Sequence, residues 1–128
     1  MADLLFGNTI SMAHKSLDFL WKQQEVIAAN IANVDTPGYK SKSVSFEETY
    51  KNKLVAASKT KNTSKIRQAI DEADCLEYSW DHSARLDENN VNADVENTKM
   101  ARTTLHYQYL LQSVTNDIKR YQSVIKGQ

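Results

Sequence analysis

Turn-forming residues are almost missing from this chain, which has three glycines and one proline among 128 residues. A compact sheet protein needs many more tight turns, so a mainly helical chain with some extended pieces is expected. Cysteine is nearly absent too. The single Cys75 cannot close an internal disulfide, and the surrounding "DEADCLEYSW" offers no nearby basic group to activate a thiol, which leaves it incidental. An excess of either charge is also lacking: 16 Lys and Arg balance 16 Asp and Glu along the chain, giving no electrostatic footprint for nucleic acid or an anionic membrane surface. Proteins are the expected partners. No apolar run reaches membrane-spanning length, and the N-terminus lacks the basic flank, unbroken apolar stretch and small-residue cleavage site of a secretory signal. Any route out of the cytoplasm is expected to leave the N-terminus uncleaved.

Two long periodic segments are present instead. From about 9 to 33, Ile10, Ala13, Leu17, Leu20, Gln24, Ile27, Ile31 and Val34 recur alternately three and four apart, with Gln24 the one polar exception. This is a narrow helix-packing stripe. Phe19, Trp21 and Ala28 lie beside it and widen the apolar surface beyond one seam, so more than one neighbour is implied. From about 94 to 126, Met100, Thr104, Tyr107, Leu111, Val114, Ile118, Tyr121 and Ile125 keep the same alternation, the strongest periodic signal in the sequence. Val95, Leu105, Tyr109 and Leu110 fall off that stripe and give this helix a second apolar face. The predicted fold is therefore mainly α, with two long terminal helices packing in coiled-coil fashion around a loop-rich, partly extended middle segment. It reads as one elongated domain: a helix over about 9–33, a turn over 34–40, a variable middle over 41–92 and a helix over about 94–126.

The middle is less regular. "SFEETYKNKLVAA" has a capping-box pattern at Ser45 and Glu48, with Phe46, Tyr50 and Leu54 four apart, which predicts a short helix. "SKTKNTSK" reads as a polar linker, "SKIRQAIDEAD" as a second short helix and 76–92 as loop or short extended pieces. Nearly all the strong turn chemistry sits in "ANIANVDTPGYK", residues 29 to 40. Asn33 is suited to a left-handed helix end, Pro37 biases Thr36 away from helical angles, and Gly38 permits a positive φ at the second corner of a tight turn. The chain is expected to stop and change direction there.

Catalytic and metal chemistry find little support. His14, His82 and His106 are far apart, and none has a second ligand at helix-face spacing. "LDENNVNADVE" fails as a calcium loop: Asp87 and Asn89 fit its first and third positions, but Val91, Asn92 and Thr98 stand where an oxygen ligand, a glycine and a bidentate Glu are required. No nucleophile elbow or phosphate-cradling glycine loop occurs, so no enzyme, cofactor, metal or small-molecule substrate is expected. "NTS" at Asn62 matches a glycosylation acceptor only at the level of a chance three-residue pattern. Tyr107, Tyr109 and Tyr121 lack the basic groove that a nucleic-acid stacking platform needs. A cytoplasmic coiled-coil or helical-bundle adaptor would account for the two stripes, though not for the wording of the turn.

That wording carries more. "NIANVDTPGYK", with Asn30, Ile31, Ala32, Asn33, Thr36, Pro37, Gly38, Tyr39 and Lys40, closely resembles the N-terminal signature of the bacterial flagellar rod and hook proteins, A-N-x-A-N-x-x-T-x-G-Y-K. It also lies, as in that family, about thirty residues from the N-terminus. In the C-terminal half, "DENNVNADVENTKMARTTLHYQYLLQ" is similar to the D-G-N-x-V-D-x-D-x-E…A…L-x-Y-Q pattern of a proximal rod subunit, with Glu88 where that pattern has glycine. The glycine-dependent turn is therefore not carried over. The resemblance spans roughly residues 8–54 and 85–126. It implies a structural subunit whose terminal helices polymerise in the proximal rod of the flagellar basal body, the drive shaft that crosses the periplasm. It further implies export through the flagellar type III apparatus without signal cleavage, and partners that are copies of itself, other rod and basal-body proteins and the export apparatus. The signature residues are then expected to touch neighbours, and Leu17, Leu20, Ile27, Ile31, Met100, Tyr107, Leu111, Val114, Ile118, Tyr121 and Ile125 to form the helix packing. Helices with apolar groups on two faces are poorly covered alone. Sedimentation and circular dichroism of the purified chain should accordingly report an elongated, incompletely helical monomer or concentration-dependent growth; a compact, fully helical, concentration-independent species would contradict this reading.

Overall fold

The computed structural model describes residues 2–46, 50–52, 55–56, 59, 62–79, 81 and 85–127, with the side chains of 2–6 left aside. Its elements in chain order are α1 (Ala2–Ala32), β1 (Lys42–Ser45), α2 (Thr63–Asp71), β2 (Leu76–Ser79) and α3 (Ala93–Lys126). The mainly helical class holds, with two long helices against each other and small strands in a loop-rich middle. α1 starts at Ala2, seven residues before the expected boundary. The glycine and asparagine at 7 and 8 look like breakers in sequence, but Asn8 is buried and donates through Nδ2 to the Thr63 carbonyl (3.3 Å) instead of capping a helix. Tertiary contact thus outweighs a propensity cost of roughly 1 kcal/mol for the glycine.

α1 and α3 run antiparallel along one another. Gln23 Oε1 accepts from Thr103 Oγ1 (3.3 Å), Gln24 Nε2 donates to Thr104 Oγ1 (3.4 Å) and Asn30 lies against Glu96, so partners move down one helix as they move up the other. Gln24 and Thr104, the polar members of the two stripes, therefore answer each other. α2 lies along the first half of α1, where Lys15 Nζ donates to the carbonyls of Asp71 (3.4 Å) and Ala73 (3.1 Å). Asn62 caps α2, its Oδ1 accepting from the amides of Ser64 (3.0 Å) and Lys65 (3.4 Å), which gives the "NTS" triplet a purely structural role. β1 and β2 form a two-stranded antiparallel ribbon with Val44 opposite Glu77. Across it Lys42 and Glu77 pair at 3.0 Å, and the hydrogen bond to that carboxylate raises the Lys42 pKa.

The core sits to one side of the helix pair. Phe19, Leu20 and Val26 of α1 meet Val44, Phe46, Tyr50, Ile70 and Ala73, while Met12, Ile66, Tyr107 and Leu110 close its margin. Phe46 stacks between Phe19 and Tyr50, with ring centroids 4.6 and 4.7 Å away. The short helix expected after Ser45 is seen at Tyr50, whose amide donates to the Phe46 carbonyl (2.9 Å), and at 50–52, 55–56 and 59; Glu48 and Leu54 lie outside the described residues. Cys75 is exposed, and partial desolvation raises its thiol pKa in spite of the nearby Lys15. No helix among the described residues is long and apolar enough to cross a membrane. Phe46→Ala should lower the stability of the chain by about 3–5 kcal/mol in urea titration, whereas Leu111→Ala, on the exposed side of α3, should change it by less than about 0.5 kcal/mol.

Candidate assembly site

The two stretches that resemble the flagellar pattern, one at 30–40 and one at 87–96, come together in space. Asn30 is wholly buried in the last turn of α1. Its Nδ2 donates to the Lys42 carbonyl (2.7 Å) and to Glu96 Oε2 (2.9 Å), and its Oδ1 accepts from the Lys42 amide (2.9 Å) and the Tyr39 hydroxyl (3.3 Å). Two donors and two acceptor positions are thus filled by three separate parts of the chain. Glu96 is only 3% exposed, and its second oxygen accepts from Lys99 Nζ (2.6 Å). A carboxylate in the first turn of α3 also faces the positive end of the helix dipole.

Asn89, likewise wholly buried, closes the other side. Its Nδ2 reaches the carbonyls of Asn33 (2.9 Å), Val34 (3.0 Å) and Thr36 (2.8 Å), in the turn that follows α1. Its Oδ1 accepts from the Val91 amide (2.8 Å), while its own amide donates to Asp87 Oδ1 (3.2 Å). Around it the Gly38 amide donates to the Asp87 carbonyl (2.7 Å), Lys40 Nζ to the Glu88 carbonyl (2.7 Å) and the Ser41 amide to Asn90 Oδ1 (2.6 Å). Arg85 bridges the Val34 carbonyl (3.2 Å) and Asp87 Oδ2 (3.1 Å). Asn92 then caps α3 through the amides of Asp94 (3.0 Å) and Val95 (3.2 Å). The segment 85–92 is a polar clasp over the end of α1.

The turn has the expected direction change but not every expected detail. Asn33 does not take left-handed angles; it ends α1 by donating Nδ2 to the Ala29 carbonyl (2.8 Å) and accepting from Thr36 Oγ1 (3.1 Å). Gly38 does have positive φ (72°), and Tyr39 closes the Thr36–Tyr39 turn through its amide (3.3 Å), with Pro37 at the first corner. Glu88, where the resembling pattern has glycine, also has positive φ (58°), the one such non-glycine among the described residues. The left-handed turn therefore survives the substitution, at a steric cost of roughly 1–2 kcal/mol.

Other signature residues face outward: Ala32, Thr36, Pro37 and Gly38 are exposed, and Ile31, Asn33, Tyr39 and Lys40 are half-buried. Of the packing stripe, Leu20 and Ile27 are buried, Leu17, Met100, Tyr107, Val114 and Tyr121 half-buried, and Leu111, Ile118 and Ile125 exposed. Leu110, one position off that stripe, meets the core instead. Asn89 and Glu96 were not among the expected site residues, although both lie in the C-terminal pattern. Among the described residues no cluster of His, Cys, Asp or Glu is arranged to hold a metal, and the clasp's polar groups are spent on one another.

The profile of the family described as flagella basal body rod protein matches residues 20–40, the end of α1 and the turn that the clasp holds. The flagellar basal body rod protein FlgB of Bacillus subtilis is 32% identical over 125 residues, covering 96% of this chain and 97% of that protein. The chain belongs to the FlgB family of flagellar basal body rod proteins. The FlgB proteins of Escherichia coli and Salmonella typhimurium are each 32% identical over 123 residues, covering 88% of this chain and 89% of theirs. Membership of this family makes the chain a structural component of the basal body rod rather than an enzyme, and the clasp accordingly shapes a subunit.

Two substitutions test the clasp. Asn30→Ala leaves the Lys42 amide and carbonyl and one Glu96 oxygen without partners, and should cost about 3 kcal/mol or more in urea titration. Glu88→Gly should instead stabilise the chain by about 0.5–1 kcal/mol, the relieved strain exceeding the added entropy of the unfolded chain.

Proposed function

We propose that this chain is a subunit of the proximal rod, polymerising through its two terminal helices into the drive shaft that crosses the periplasm, with copies of itself and other rod proteins as neighbours. In this reading it reaches the rod through the flagellar export apparatus with its N-terminus uncleaved. The observation that carries the proposal is the surface of α3. Its buried residues are Glu96 and Thr103, both polar, while Leu105, Tyr109, Leu111, Ile118, Val124 and Ile125 are exposed, Val124 and Ile125 by 80% or more. A helix of 34 residues is about 50 Å long, and with about half its apolar side chains exposed and the rest only half-buried it lacks much of the burial that stabilises helices in proteins.

Neighbouring subunits would supply that burial, at roughly 25 cal/mol per Å² of apolar surface covered. The same account gives the outward part of the signature its role: Thr36, Pro37, Gly38 and Tyr39, held rigid by the clasp, form a fixed edge for a neighbour rather than a loose loop. Replacing Val124 and Ile125 by Glu should leave the stability of the unassembled chain within about 0.5 kcal/mol, because both side chains are already exposed. The same variant, expressed in bacteria lacking the native subunit, should fail to restore rods and swimming. Motile cells with complete rods would rule out assembly through this helix.

A further inference from the structure

Opposite faces of α1 carry a knob and a groove. On the outer face Trp21 is 64% exposed, flanked by Asp18 and Glu25, which lie against His14 (3.2 Å) and Lys22 (3.1 Å) and keep about two-thirds of their side-chain surface open to a partner. On the inner side a groove opens beside Phe46, between β1 and α3. Two adjoining hollows of about 370 and 470 Å³ meet there, sharing Phe19, Phe46 and His106. Clefts of roughly 300–1,000 Å³ are the size that encloses a substantial group.

The groove's floor is aromatic and its α3 rim is basic. Lys99, Arg102 and His106 line that rim at spacings of three and four; Lys99 is held by Glu96, whereas Arg102 has no ion pair or hydrogen bond among the described residues and is the rim's open cation. Tyr50 borders the apolar hollow with a buried hydroxyl that has no hydrogen-bond partner among the described residues. An aromatic floor, a basic rim and an unsatisfied hydroxyl suit an aromatic side chain flanked by carboxylates, which the outer face of α1 presents.

We propose that the groove is a socket for Trp21 of a second copy of this chain, with Asp18 and Glu25 of that copy against Lys99, Arg102 and His106. The inference rests on the polymerising role proposed above and names the contact. Trp21 lies two residues from both Phe19 and Gln23, which line the socket, so at about 100° per residue it points roughly 200° away from each. Knob and socket thus face opposite directions on one subunit. Such a contact is head-to-tail, and unless the rotation closes a ring it propagates as an open helical filament. Trp and Arg are also the side chains that most often dominate interface energies, here with a guanidinium placed to lie on the indole face.

Trp21→Ala removes the knob and keeps the socket; Arg102→Glu spoils the socket and keeps the knob. Both positions are exposed, and circular dichroism should report wild-type helicity for each. In sedimentation velocity on the full chain, each variant alone should associate at least tenfold more weakly than wild type. An equimolar mixture, which retains one sound knob and one sound socket, should form dimers and stop there. A Trp21→Ala chain that grows with the wild-type concentration dependence would overturn this contact while leaving polymerisation intact, as would a mixture no more associated than its components. A wild-type chain that stays monomeric at every concentration would count against the polymerising role as well as the contact.

Discussion

The structure depends on a buried amide. Asn30 joins the end of α1 to β1, to the turn at Tyr39 and to the first turn of α3. An apolar residue there would bury as well but would fix neither the register of the two helices nor the path of the turn. A buried polar group that is fully partnered defines one geometry, because any slip leaves donors and acceptors unpaired in a medium where that is expensive. Asn89 repeats the principle on the neighbouring carbonyls. Sequence pieces more than fifty residues apart thereby become one rigid corner.

From that corner stability is unevenly distributed. The apolar core lies beside the middle of α1, around Phe19, Phe46 and Ile70, and α3 contributes to it only through Tyr107 and Leu110 at the margin. Beyond them α3 continues to Lys126 with Leu111 and Ile118 nearly half exposed and Val124 and Ile125 almost wholly so. A self-contained bundle would distribute its apolar groups inward along the whole helix. This chain instead fixes the direction of a long helix at one end and leaves several apolar side chains exposed farther along it.

Much of this was legible in the sequence, and what was not has identifiable causes. The two periodic stripes gave the long helices, and the single Pro-Gly pair gave the corner, because both signals are local. The start of α1 at Ala2 was hidden because Asn8 is buried with its Nδ2 on the Thr63 carbonyl, a contact that no local window contains. The seam on α3 is turned slightly from the heptad, towards Leu110 and away from Leu111, because the core lies to one side of the helix pair rather than between the helices. Asn89 and Glu96 sat in a recognisable pattern, but their role depends on which carbonyls and amides the fold brings within 3 Å. Glu88 shows the limit in the other direction: the substitution suggested a changed turn, yet the network around it holds the left-handed angle in place.

Amide hydrogen exchange on the unassembled full-length chain tests the central claim most directly, that a polar corner orders one end of the helix pair and leaves the other to be completed. Protection should be strongest in the last turns of α1 and over residues 89–104. It should fall along α3 so that residues 112–126 exchange at least about tenfold faster. Uniform protection along α3, or protection that rises towards Lys126, would contradict it.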